Sequence, residues 1–189
     1  MKKLPIAAAL AFALTAPAAL ADRDGGDKIR ASLTGYEEVP SVSTPGSGTF
    51  EATISRDEGM IEYELSYSGL VGTVQQAHIH FAQKGVNGSI VLWLCQTATT
   101  PAPAAVAGLT PFCPQSGTVT GTLTAANVVA ASTASQMIVA GELAEVIAAI
   151  RAHRAYANVH ATPLNPGGEI RGQIGGKRHG HDDDHGNHH

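Results

Sequence analysis

Aromatic residues make up only 5% of this 189-residue chain, charged residues 15%, and cysteine occurs twice. With so few rings, a core must come from Val, Ile, Leu and Ala, while 21 Gly and 10 Pro divide the chain into short segments. That mixture predicts a compact β domain with many turns. Lys and Arg number 12 against 16 Asp and Glu, with no basic stripe, which excludes nucleic acid as an expected partner. Beyond the N-terminus no stretch approaches the roughly 18 apolar residues of a membrane-spanning helix. There is no Gly-rich phosphate loop, no Gly-x-Ser-x-Gly elbow, and no local Ser, Asp and His arrangement that marks a nucleophile. Glu37 and Glu38 precede Val39-Pro40 and read as a strand end rather than as carboxylates flanking a glycosidic bond.

What is present begins with Lys2 and Lys3, an apolar run from Leu4 to Leu14, Pro17, and the small-residue stretch Ala19-Leu20-Ala21. This pattern predicts a secretory signal peptide over 1–21 with cleavage after Ala21. Losing that leader, which holds two lysines and no acids, takes the formal charge from −4 to −6. The expectation is a periplasmic or secreted protein of about 168 residues, a normal size for one domain. In an oxidising compartment Cys95 and Cys113, 18 positions apart, read as a disulfide. A metal role for the two thiols is the alternative, although their spacing is not Cys-x-x-Cys.

Strands are expected over 28–36, 48–55, 60–68, 74–82, 89–94, 117–123, 155–161 and 168–174. Alternation is clearest in Thr49-Phe50-Glu51-Ala52-Thr53-Ile54 and in Ile61-Glu62-Tyr63-Glu64-Leu65-Ser66-Tyr67. Arg56-Asp57-Glu58-Gly59 supplies a hairpin turn, and Gly85-Val86-Asn87-Gly88 a second break. Short antiparallel connections predict a Greek-key-like β-sandwich over 22–175 with one or two short helical insertions. One insertion is a helix over 140–154 with Leu143, Val146, Ile147 and Ile150 on one face; the other is a turn after Thr124. From 176 onward nothing apolar remains to bury, which predicts a disordered His/Asp-rich tail.

The chemistry-bearing segment is Gln76-Ala77-His78-Ile79-His80-Phe81. Side chains at i and i+2 of a strand leave one face roughly 6 to 7 Å apart, so His78 and His80 can converge on one ion while Ala77, Ile79 and Phe81 face a core. The alternatives are surface decoration of an edge strand or buried hydrogen bonding. Tyr156-Ala157-Asn158-Val159-His160 repeats the pattern, with Asn158 and His160 on one face.

Six stretches in order resemble the CHRD (chordin) domain: Leu33-Thr34-Gly35-Tyr36-Glu37-Glu38-Val39-Pro40, Tyr67-Ser68-Gly69-Leu70, Ala77-His78-Ile79-His80, Gly85-Val86-Asn87-Gly88, Ala155-Tyr156-Ala157-Asn158-Val159-His160 and Pro166-Gly167-Gly168-Glu169-Ile170-Arg171-Gly172-Gln173. The resemblance implies an exported domain. It carries no growth-factor partner over from the animal protein that names the family. The His-x-His strand with a late histidine is also similar, locally, to the copper side of Cu,Zn superoxide dismutase, itself a Greek-key sandwich. Together these likenesses add His160 as a third metal ligand.

Three neutral imidazoles suit copper, with zinc as the alternative. Met60 and Met137, the methionines beyond the leader, form no soft cluster for copper(I). A fourth ligand is sought among His153, Glu169 and water. His153 reads as a cation at a helix C-terminus, and Glu169 as a partner of Arg171 or an orienter of a histidine. Arg171 reads as a guide for an anionic substrate or as a solvated strand charge, and Asn158 as a neighbour on the histidine face. The tail histidines His179, His181, His185, His188 and His189, among Asp182, Asp183 and Asp184, form an accessory metal-binding segment or merely a solubilising one. The expected role is periplasmic copper binding, buffering or delivery. A protein-interaction module with structural histidines is the alternative, and a dismutase-like copper enzyme the third reading.

Overall fold

The structure is a computed structural model that describes residues 26–176. Eight main strands form one antiparallel sheet: β1 (Asp27–Thr34), β2 (Ser47–Ile54), β3 (Ile61–Ser68), β4 (Thr73–Phe81), β5 (Ser89–Cys95), β6 (Gly117–Leu123), β7 (Ala155–Thr162) and β8 (Asn165–Gln173). The spatial order is β5-β4-β7-β8-β1-β2-β3-β6, and a two-residue strand, β9 (Gly175–Gly176), pairs with β1. The architecture is all-β, as the turn-rich composition implies. The long connection from β6 at one end of the sheet to β7 in its interior gives it the non-local pairing expected of a Greek-key-like topology.

Alternation drives the β2–β3 hairpin. Phe50, Ala52 and Ile54 on one strand and Ile61, Tyr63, Leu65 and Tyr67 on the other are buried in a common core. The residues between them on β2 and β3 are exposed or half-buried. The intervening turn is fixed by Asp57, whose Oδ1 accepts from the Ser55 hydroxyl at 2.6 Å and from the Gly59 amide at 3.1 Å.

The sheet curls until its ends approach one another. Tyr63 on β3 donates its hydroxyl to Leu94 O of β5 at 2.6 Å, and Tyr67 donates to Pro114 O at 2.7 Å. The free edge of β5 is covered by bridges from Leu92 to Val128 and from Gln96 to Phe112, which removes an unpaired edge from solvent.

The helical insertions are shorter than their apolar patterns. One, α1 (Ala104–Ala107), lies in the loop after β5, and Val106 packs with Trp93 and Ala102 in a small satellite cluster. The predicted helix over 140–154 is observed as α2 (Leu143–Arg151), and its four expected apolar residues are all buried. Gly141 at φ +89° precedes it, and His153 at φ +55° turns the backbone left-handed just after its end, so helical dihedrals cannot extend through either position. The expected turn after Thr124 is a 3-10 turn at Ala125–Asn127, whose Asn127 side chain accepts from the Thr124 amide at 2.9 Å.

Cys95 and Cys113 form the expected disulfide. It pins the loop carrying α1 to the end of β5, beside Ala77 of β4, which pairs with Cys95. Closing an 18-residue loop is worth about 3 kcal/mol through the unfolded chain. Replacing both cysteines by serine is therefore expected to lower unfolding stability by about 3 kcal/mol in denaturant titration.

Candidate metal centre

Strand register brings the histidines together. In the antiparallel β4–β7 pair His80 lies opposite Tyr156, His78 opposite Asn158, and Gln76 opposite His160, so His160 sits diagonally across from His78. Pleating sends Ala77, Ile79, Ala157 and Val159 into the main core and these polar side chains to the opposite face. His78, His80 and His160 each offer one ligand nitrogen, all within 4.8 Å of one another. The expected trio is thus assembled.

That face is not the solvated side of a sheet. His78 is 0% exposed, His160 6% and His80 7%. Trp93 of β5 packs edge-on against His78 with ring centroids 4.2 Å apart, and Tyr156 lies parallel to His80 at 4.7 Å. The cover continues with the loop after β4, which supplies Gly88, and the start of β8, which supplies Pro166.

Those two segments also set the proton positions. His80 Nδ1 lies 2.9 Å from Gly88 O, and His160 Nδ1 lies 2.8 Å from Pro166 O. A carbonyl oxygen only accepts, so each Nδ1 carries the proton and each Nε2 presents a lone pair. His78 Nδ1 in turn is 3.2 Å from His160 Nε2 and donates to it. Nε2 of His78 and Nε2 of His80 are buried without any hydrogen-bond partner. Leaving such atoms unpaired costs on the order of 1 to 3 kcal/mol each, and a cation is the group that would satisfy several lone pairs at once.

Electrostatics keep the rings in the form a metal requires. Burial pushes the His78 pKa well below its ordinary value, and repulsion from His160 and His80 lowers it further. Burial likewise brings His80 to about 4, against the hydrogen bond from its ring to Gly88, and lowers His160. Neutral imidazoles are therefore available to an ion well into mild acid.

The surroundings correct two sequence expectations. Arg171 is not a solvated charge: it is 2% exposed, its guanidinium carbon lies 3.3 Å from the Tyr156 ring centroid, and its Nη1 donates to Asn87 Oδ1 at 2.8 Å. A second nitrogen donates to Val86 O. Arg171, Tyr156 and His80 thus form one stack that ties the loop after β4 to the histidine face. Glu169 does not pair with Arg171. Its carboxylate accepts from the Thr44 hydroxyl at 2.5 Å and from the Val71 and Gly72 amides at 2.7 and 3.2 Å, tying two loops to β8. His153, at the end of α2, has its ring beside Gly175 rather than in the trio. The tail histidines lie outside the described residues.

Sequence reasoning missed Glu38. It follows the 3-10 turn Gly35–Glu37 and is only 6% exposed, with Oε1 unpaired. Burial raises its pKa to about 7, opposed by the Arg171 charge, the Val39 amide and the Asn158 amide. A Cβ on Gly168 would strike both Glu38 Oε1 and Asn158 Nδ2, so Glu38 reaches the site through Asn158 and the glycine leaves it room. A shallow pocket of about 340 Å³, lined by Glu38 with Tyr36, Pro40 and Lys84, opens beside it. Glu38 lies inside the first resemblance stretch, but nothing in the sequence distinguished it from the half-exposed Glu37 that bonds Lys84 at 2.9 Å.

Stability of the metal-free protein carries the signature of these shifts. A depressed histidine pKa means the unfolded chain binds more protons, so the contribution is full above about 6.5 and is lost as pH falls to about 4. For His80 alone this is on the order of 3 kcal/mol. Glu38 opposes it, because its raised pKa means the folded chain holds the extra proton between about 4.5 and 7. Denaturant titrations from pH 7.5 to 4.5 are expected to show falling stability on acidification, more steeply in Glu38→Gln than in the unaltered chain.

Among the described residues no helix is long and apolar enough to cross a membrane. Comparison with curated proteins and with solved structures found no match. The family model of the CHRD domain matches residues 29–174, which take in β2 to β8, most of β1 and the histidine face, and the chain belongs to the CHRD domain family.

Proposed function

We propose that this protein binds one copper ion through His78, His80 and His160 and serves in copper binding, buffering or delivery outside the cytoplasm. The observation that carries the reading is the buried trio of neutral imidazoles, two with Nε2 atoms that have no partner in the protein. Three nitrogen donors with no thiolate within the trio suit copper(II) foremost, with zinc as the alternative. Carbonyl acceptors at Gly88 and Pro166 fix two rings with Nε2 free, as outer-sphere partners do in metal sites.

The reading is of binding rather than turnover. Arg171, the residue that would have guided an anionic substrate, is instead packed on Tyr156 and spent on Asn87 and Val86, and the histidines are almost fully covered. The leader over 1–21 and the disulfide support an exported, oxidising setting, periplasmic or secreted. In this reading the folded domain runs from Asp22 to Gly175, and the five histidines after it collect metal more weakly and in many geometries.

Copper titration with metal analysis is the test, on the chain with its five tail histidines replaced by alanine. It is expected to retain one equivalent, and His78→Ala with His80→Ala and His160→Ala to retain none. Bound copper at a hundredfold excess over its dissociation constant is expected to raise unfolding stability by about 2.7 kcal/mol in the former alone. Absence of tight copper or zinc from the histidine-bearing form would sink the reading and favour a protein-interaction module with structural histidines.

A further inference from the structure

The trio leaves a coordination position to fill, and one oxygen already points at it. Asn158 Oδ1 is 3.1 Å from His160 Nε2. A neutral His160 that gives its Nδ1 proton to Pro166 has no second proton to give to Asn158, and its Nε2 lone pair already receives the proton of His78. An amide oxygen and an imidazole lone pair thus face each other in a buried site, a contact that repels unless a cation lies between them.

With a metal the same spacing is ordinary. Two donors bound at about 2.0 to 2.2 Å on one ion stand roughly 3 to 3.5 Å apart at right-angled to tetrahedral geometry. The amide is well placed for that role. Asn158 is 1% exposed, is paired in register with His78, and also faces His80. Its Nδ2 is turned to the Glu38 side, where Gly168 leaves room, and its oxygen toward the histidines.

We infer that Asn158 supplies the fourth donor of the metal centre through Oδ1, oriented by Glu38 as a positioning residue. This rests on the copper reading above. The set becomes three imidazole nitrogens and one neutral oxygen, completed by the protein without water. A rotated amide, giving its NH₂ to His160 and its oxygen to a protonated Glu38, is the arrangement in which Asn158 only positions the ring.

Pulsed electron–nuclear double resonance on copper(II)-loaded protein separates them, using the full chain with tail histidines replaced by alanine and asparagine labelled with ¹³C at Cγ. Expected are a ¹³C coupling from the bound amide and no coupling from H₂¹⁷O. Asn158→Ala is expected to lose the ¹³C coupling, gain a water ¹⁷O coupling and bind copper about tenfold or more weakly. Asn158→Asp, which keeps the oxygen, retains copper and its water-free spectrum. Glu38→Gln is expected to retain the ¹³C coupling, weakened or broadened by a less fixed amide. A water coupling without the ¹³C coupling in the otherwise unaltered chain overturns the fourth-donor inference and leaves the three-histidine site standing. Failure of that chain to hold copper at all overturns the three-histidine site itself.

Discussion

The pairing of β4 with β7 governs everything else in the site. One register places His78 against Asn158 and His80 against Tyr156, and brings His160 within hydrogen-bond reach of His78. A slip of β4 by one residue would carry His78 and His80 into the apolar core and Ile79 out of it, so the burial of the core face and the assembly of the trio are enforced by the same pattern. The chemistry is therefore not grafted onto a loop. It sits on two adjacent interior strands of the sheet, and the loop after β4 and the start of β8 contribute the acceptors that fix the rings.

Burying three imidazoles is costly, and the structure shows where the cost is met. Carbonyls from Gly88 and Pro166 take two of the N–H groups, and His78 bonds His160, yet two ring nitrogens remain without partners. Around them the cover is heavy: Trp93 on one side, the Tyr156 and Arg171 stack on another, and the Glu38 turn beside Gly168. Such an enclosure suppresses protonation and excludes water, which suits a site that retains an ion more than one that exchanges substrate.

Much of the fold was legible in the sequence because the sheet relies on period-two burial and on turn residues. The β2–β3 hairpin, the limits of β6, the apolar face of α2 and the Cys95–Cys113 pairing all follow from local patterns. His78 and His80 were legible for a related reason, since strand geometry sets which side chains share a face, whereas His160 was added by the family and dismutase likenesses. What was not legible depended on which loop covers that face. Arg171 alternates along β8 like any exposed charge, and only the Asn87 loop and the Tyr156 ring make it a buried stack. Glu169 serves loops contributed by Thr44, Val71 and Gly72, and Glu38 is buried through contacts with Gly168 and Asn158 from distant strands. No periodicity within one segment encodes such long-range closures.

Crystals of the copper-loaded protein, measured with X-rays on both sides of the copper absorption edge, test the central claim most directly. The account predicts a single strong anomalous peak within bonding distance of ring nitrogens from His78, His80 and His160. Density showing that site without metal while copper sits elsewhere, on the tail or on the surface, would contradict it.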